Sequence, residues 1–95
     1  MALTIRVKYL AVLRGLAKTP ERNLSLDGNS LSDLLIALRN TEEDALKLRF
    51  FSQDGTVRPD VLVFINDVES SLLGGTKAAL KDGDEITFLP SVHGG

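Results

Sequence analysis

Leu80-Lys81-Asp82-Gly83-Asp84-Glu85-Ile86-Thr87-Phe88-Leu89-Pro90, running on into Ser91-Val92-His93-Gly94-Gly95, is the stretch on which the fold turns. Asp82-Gly83-Asp84-Glu85 has the chemistry of a tight turn. Ile86-Thr87-Phe88-Leu89 after it reads as a strand, and if Ile86 and Phe88 point inward, Thr87 and Leu89 point outward. Pro90 stiffens the exit because it cannot donate to a strand ladder. Beyond it the chain is poor in side chains and ends on two glycines. Gly lacks a Cβ and can pass where other residues cannot. An α-carboxyl, with a pKa of about 3.3–3.7, is ionised at neutral pH. A bare carboxylate on a thin thread suits the narrow channel of a nucleotide-activating enzyme. The plainer reading is a frayed terminus. With Gly at about 7 % of residues, two in a row at a chosen place arise by chance roughly once in two hundred, so the rest of the chain has to decide.

The 95 residues fit one small domain. The apolar fraction of 43 % and charged fraction of 25 % are ordinary for a globular protein. A chain of this length buries about 60–65 % of its unfolded surface, enough for one modest core and too little for a deep catalytic cleft. The net charge of −2 gives no basis for expecting nucleic acid or an anionic membrane as partner. The absence of cysteine removes disulfides, thiolate catalysis, Cys-based zinc sites and iron–sulfur ligation together. Met1 to Arg6 lacks the apolar core of a signal peptide, and no run approaches the roughly 18 apolar residues of a membrane helix. A cytoplasmic location is expected.

Working back from the last strand, Val61 to Ile65 is a continuous apolar run of β-branched character, expected to be a buried central strand. Asn66-Asp67 suits a hairpin turn into a short strand, Val68-Glu69-Ser70. Leu72-Leu73-Gly74-Gly75 breaks the chain, and Thr76 is placed to cap one turn from Lys77 to Leu80. At the other end, Leu3, Ile5, Val7 and Tyr9 alternate with Thr4, Arg6 and Lys8, a strand with one buried face. Leu10 falls on the polar face. Ala11 to Ala17 fits a short helical turn, interrupted at Pro20. Leu24-Ser25-Leu26 is a short second strand. Ser30 is an N-cap with Asp33 three residues on, as in a capping box. Leu31, Leu34, Leu35 and Leu38 form one apolar helix stripe. Glu42 to Arg49 is a weaker helix, with Ala45, Leu46 and Leu48 apolar, anchored by Phe50-Phe51. The sum is an α+β domain, a mixed sheet with one main helix packed on one face.

That order of elements resembles the β-grasp fold of ubiquitin-like proteins. Leu80 to Pro90 with the terminal Gly94-Gly95 resembles the C-terminal signature of MoaD/ThiS-type sulfur carriers. Ile5-Arg6-Val7-Lys8-Tyr9-Leu10-Ala11-Val12-Leu13-Arg14 is similar to the first strand and turn of molybdopterin synthase small subunits. The longer stretch from Thr41 to Asp60, and Asn66-Asp67 followed by Gly74-Gly75, are closer to the cysteine-biosynthesis carrier and small archaeal modifier proteins. His93 before the diglycine is similar to the ubiquitin-related modifier.

The resemblance implies a domain over residues 1–90 and a flexible tail over 91–95. It implies a carrier that is not an enzyme, binds no cofactor, and presents the Gly95 carboxylate to an E1-like adenylyltransferase of the MoeB/ThiF type, which uses ATP. The product is a C-terminal thiocarboxylate, and the expected acceptor is a partner such as the large subunit of molybdopterin synthase in molybdenum cofactor synthesis. The alternatives are conjugation of Gly95 to target-protein lysines, or sulfur supply for cysteine, thiamine or tRNA thiolation. Gly94 and His93 belong to the threaded tail. In a β-grasp sheet the first and last strands are neighbours, so Leu10 and Leu89, beside Pro90, are expected to form an exposed apolar patch that binds partners. The other reading is that a local loop covers either leucine.

The remaining motifs point away from catalysis. A lone His93 on a tail is expected to be a spacer or a contact, with no metal. Gly74-Gly75 lacks the spacing and the Lys-Ser/Thr pair of a P-loop. Asp82, Asp84 and Glu85 lack the twelve-position pattern of a calcium loop and are expected to form a solvated turn that meets basic residues of an activating enzyme.

Overall fold

The computed structural model describes residues 2–17, 19–42, 44–54 and 56–90. The expected tail, residues 91–95, lies outside the described residues. Strand β1, Leu3–Tyr9, pairs antiparallel with β2, Glu21–Leu26, from Leu3↔Leu26 to Lys8↔Glu21. Between them sits a short helix α1, Val12–Leu16, entered through Ala11 at φ 55°. The second strand begins three residues earlier than Leu24. Its first half is polar, so the hydrophobic pattern does not mark it. The Tyr9 amide donating to the Pro20 carbonyl (2.9 Å) closes the hairpin there.

The main helix α2, Leu31–Thr41, has the expected capping box. The Asp33 amide donates to Ser30 Oγ (3.2 Å), and the Asp33 carboxylate accepts from the Asn29 and Ser30 amides (3.1 and 3.2 Å). Leu31, Leu34, Leu35 and Leu38 are buried as one stripe. Helix α3, Asp44–Phe50, buries Leu46 and Phe50 and leaves Leu48 75 % exposed. Positions two apart on a helix do not share a face, so the apolar set expected for this segment splits.

Strand β3, Val61–Ile65, turns through Asn66-Asp67 into β4, Val68–Glu69. Two 3₁₀ segments follow, Ser70–Leu73 and Gly75–Lys77. The turn expected over Lys77 to Leu80 is displaced toward the N-terminus. Gly74 and Gly75 adopt positive φ and begin it, while Ala78 and Leu80 are drawn into the core. Strand β5, Glu85–Pro90, completes a five-stranded sheet in the order β2-β1-β5-β3-β4. β5 runs parallel to β1 and antiparallel to β3, so the sheet is mixed. The central strand is β5, and the Val61–Ile65 run stands beside it.

Entry into β5 is fixed from both sides. The Gly83 amide donates to the Thr4 carbonyl (2.8 Å) and the Arg6 amide to the Asp84 carbonyl (2.9 Å). Asp82 Oδ1 accepts from the Thr4 amide (2.7 Å), and Asp84 Oδ2 from the Lys81 amide (2.8 Å). Gly83 turns at φ 88°, a conformation in which a Cβ is strained. The acidic turn is solvent-exposed, as expected, and its carboxylates also clamp the backbone. Below β5, Phe88 stacks on Tyr9 (centroids 5.5 Å) and meets Phe50 (4.5 Å). This aromatic cluster ties the last strand to β1 and α3. Burial, and second the nearby Glu42 carboxylate, push the Tyr9 phenol above its ordinary range, so it stays neutral.

Candidate docking face and tail exit

Alternation divides the sheet into two faces. Ile5, Val7, Tyr9, Val61, Val63, Ile65, Ile86 and Phe88 are buried against the helices. The other face carries the intervening residues, which are exposed or half-buried. On it, Leu10 and Leu89 lie in adjacent chains. The Tyr9↔Phe88 register and the Leu10 amide donating to the Phe88 carbonyl (3.0 Å) place them side by side. Both are half-buried. Leu62 stands opposite Leu89 on β3, and Phe64 lies two residues further along the same strand and face. Both are half-buried as well.

The open face thus presents four large apolar side chains in a row across β1, β5 and β3. Leu62 and Phe64 are the residues that sequence reasoning missed. A continuous apolar run reads as a strand buried on both faces, whereas the helices here cover one. The signal that could have found them is layer count, because a single main helix cannot cover both faces of a five-stranded sheet. Apolar patches on an exposed sheet commonly mark protein interfaces.

Pro90 takes no part in that row. It alternates to the inner side, is buried, and stands opposite Val61. The Phe88 carbonyl already faces β1, so an amide at position 90 would face the lane where β1 has ended. Proline, which has no amide hydrogen, stops the ladder there without leaving a donor unpaired. The last described residue of β5 therefore lies one residue beyond Leu89, at the apolar end of the open face. The reacting group expected at Gly95, and its neighbours Gly94 and His93, lie outside the described residues.

The other end of the same face is charged. Arg6 bridges Glu21 (2.6 Å) and approaches Glu85 (3.9 Å), and Lys8 approaches Glu85 (3.7 Å). The Arg6 hydrogen bond holds the Glu21 carboxyl below its usual range. The face thus grades from a balanced ionic lattice to an apolar end beside the tail. Among the described residues no group of three or more His, Cys, Asp and Glu side chains comes together to hold a metal. No helix among them is long and apolar enough to cross a membrane.

A family model described as Urm1 (Ubiquitin related modifier) matches residues 4–95. A ubiquitin-related modifier 1 from Laccaria bicolor is 42 % identical over 66 residues, covering 67 % of this chain and 54 % of its own length. The chain spans about half the length of that relative. The solution structure of small archaeal modifier protein 1 from Methanosarcina acetivorans superposes with a TM-score of 0.85 at 34 % identity, covering 100 % of this chain and 99 % of the other. The solution structure of Urm1 from Trypanosoma brucei gives 0.74 at 28 % identity, covering 99 % and 97 %. The β-grasp expectation matches these folds.

Proposed function

The chain belongs to the ubiquitin-related modifier family, and from that premise we propose that it is a carrier whose Gly95 carboxylate is activated as an acyl-adenylate. The family consists of small ubiquitin-like carriers and modifiers and not of enzymes. In the proposed reaction a carboxylate oxygen of Gly95 attacks the α-phosphate of ATP held by an E1-like partner, and pyrophosphate leaves. A persulfide sulfur on a second protein then attacks the acyl carbon, and AMP leaves. Cleavage of the resulting S–S bond by a thiol leaves the thiocarboxylate. Alternatively, a lysine amine of a target protein attacks the activated carbonyl, and an isopeptide bond forms. A side chain at Gly95 would crowd the reacting carbon, where small displacements cost rate steeply.

The observation that carries this reading is the position of the tail exit. Pro90, the last described residue before the tail, follows Leu89, which stands between Leu10 and Leu62 in the apolar row. A partner docked there holds the domain while the tail reaches its active site. Five residues span at most about 17 Å, so the face and the reacting centre must both fit within one partner. The relatives named above are modifiers, which favours conjugation to target proteins over a purely biosynthetic carrier. Molybdopterin synthesis, suggested by the Leu80 to Pro90 stretch, is the narrower alternative acceptor pathway.

The test is ATP–pyrophosphate exchange by the activating enzyme of the same organism, with Leu62→Asp and Leu89→Arg variants. The KM for the carrier is expected to rise at least about tenfold, about 1.4 kcal/mol of lost binding, with unchanged thermal unfolding. An unchanged KM in both variants would remove the open face from the reading. Covalent ladders in cell extract that vanish when Gly95 is deleted identify the conjugation branch. Their absence, with sulfur transfer intact, leaves the carrier branch.

A further inference from the structure

The ladder between β3 and β4 stops at Phe64↔Glu69, where the chain leaves the strand lane for the 3₁₀ segment at Ser70. Val61 to Val63 therefore has β5 on one side and no strand on the other. The Asn66 amide donates to the Glu85 carbonyl (2.7 Å), and the pairs alternate from there. The backbone groups of Phe64 and Leu62 face β5, while those of Val63 and the carbonyl of Val61 face the vacated lane. The Val61 amide is already used by the Arg58 carbonyl (3.0 Å).

The lane is a groove of about 290 Å³, with Leu31, Leu35 and Thr76 among its lining residues. Leu35, Val61 and Val63 keep 7–8 % exposure, whereas Leu34, Leu38, Ile86 and Phe88 keep none. Its ends differ in charge: beside the start of β3, Arg58 and Arg49 bracket Asp60 (3.4 and 2.9 Å), two cations to one carboxylate, and Glu69 lies at the end of β4. The Ser71 hydroxyl and amide hold the Glu69 carboxyl below its ordinary range, so it is ionised at neutral pH. An unpaired strand edge over an apolar groove is the geometry of strand addition.

We propose that the β3 edge at Val61–Val63 binds an extended segment of a partner protein as an added antiparallel strand. The segment runs from a cation near Glu69 to a carboxylate near Arg58, with β-branched residues inward at the positions facing Val63 and Val61. Antiparallel pairing continues the direction of β4, and the charged poles select that orientation. Val61 also stands opposite Pro90, so a segment bound here lies two strand lanes from the tail's own strand. A partner that receives the tail can grip the carrier at this edge while the open face is already occupied by another protein.

The probe is the capped peptide acetyl-Lys-Val-Thr-Val-Asp-amide, titrated into the full-length chain and followed by amide NMR and hydrogen exchange. The expected result is a shift of the Val63 amide with exchange slowed at least about tenfold, and weaker binding of the end-reversed peptide, acetyl-Asp-Val-Thr-Val-Lys-amide. N-methylation of the valine placed opposite Val63 leaves the protein untouched and is expected to abolish the effect. Unchanged Val61 and Val63 amides at millimolar peptide, or an equal response to the N-methylated peptide, overturn the proposal. So does protection of Val63 without peptide that rises with protein concentration, which would make the occupant a second copy of this chain.

Discussion

Three residues with little or no side-chain chemistry set the geometry on which the account depends. Gly83 supplies the positive φ that lets the acidic turn clamp β1 to β5. Pro90 closes the ladder where the tail departs. Gly28 makes room for the capping box, because a Cβ built there would lie 2.3–2.5 Å from the Asp33 side chain. Gly28→Ala is therefore expected to drive Asp33 off the Asn29 and Ser30 amides and lower the urea midpoint. Ser30→Ala, which removes the cap oxygen itself, should cost about 1 kcal/mol in the same measurement. At this scale the sequence was informative where chemistry is local. Ser30 and Asp33 are three apart and announce their roles. Pro90 faces inward by the same alternation that buries Ile86 and Phe88; its pairing opposite Val61, about thirty residues away along the chain, is what no local pattern carries.

At the scale of elements, the strand that launches the tail is held by its underside. Phe88 touches both Tyr9 and Phe50, so Phe88→Ala should cost about 3–5 kcal/mol, measured by urea unfolding. The pH dependence follows from carboxylates that serve as caps and bridges. Asp33 (Ser30 hydroxyl), Glu21 (Arg6), Asp54 (Thr56 hydroxyl) and Glu69 (Ser71 hydroxyl) are all held below their ordinary values. A lowered folded value means stability that is present above the unfolded pKa, about 4, and lost as pH falls through the folded values. The urea midpoint should stay level from pH 7 to about pH 5 and fall steadily below pH 4. Asp33→Asn should shallow that fall. Element existence was legible in β1, α2 and β5, whose periodicities are clean. β2 was half-hidden because Glu21, Arg22 and Asn23 are polar at an edge strand. The exposed Leu48 and the buried Leu46 are two apart on α3, and which of them is covered follows from the face that carries Phe50 into the core.

For the molecule as a whole, one-sided coverage of the sheet is the organising fact. Helices protect the inner face, and the open face is left with a charged lattice at one end and four apolar side chains at the other. Leu10 and Leu89 were readable from strand alternation and the expected neighbouring of first and last strands. Leu62 and Phe64 were not, because their exposure is a property of the layer arrangement and not of their own strand. Strand β5 ends at the apolar end, so the proposed docking face and the residues that precede the carboxylate adjoin. The claim that most needs testing is the chemistry at that carboxylate. The most direct measurement is the intact mass of the full chain after incubation with its activating enzyme, ATP and a persulfide source. A gain of about 16 Da, oxygen replaced by sulfur, is expected, and it is lost when Gly95 is deleted. An unchanged mass, with an enzyme and sulfur source shown to thiolate another carrier, would contradict that chemistry.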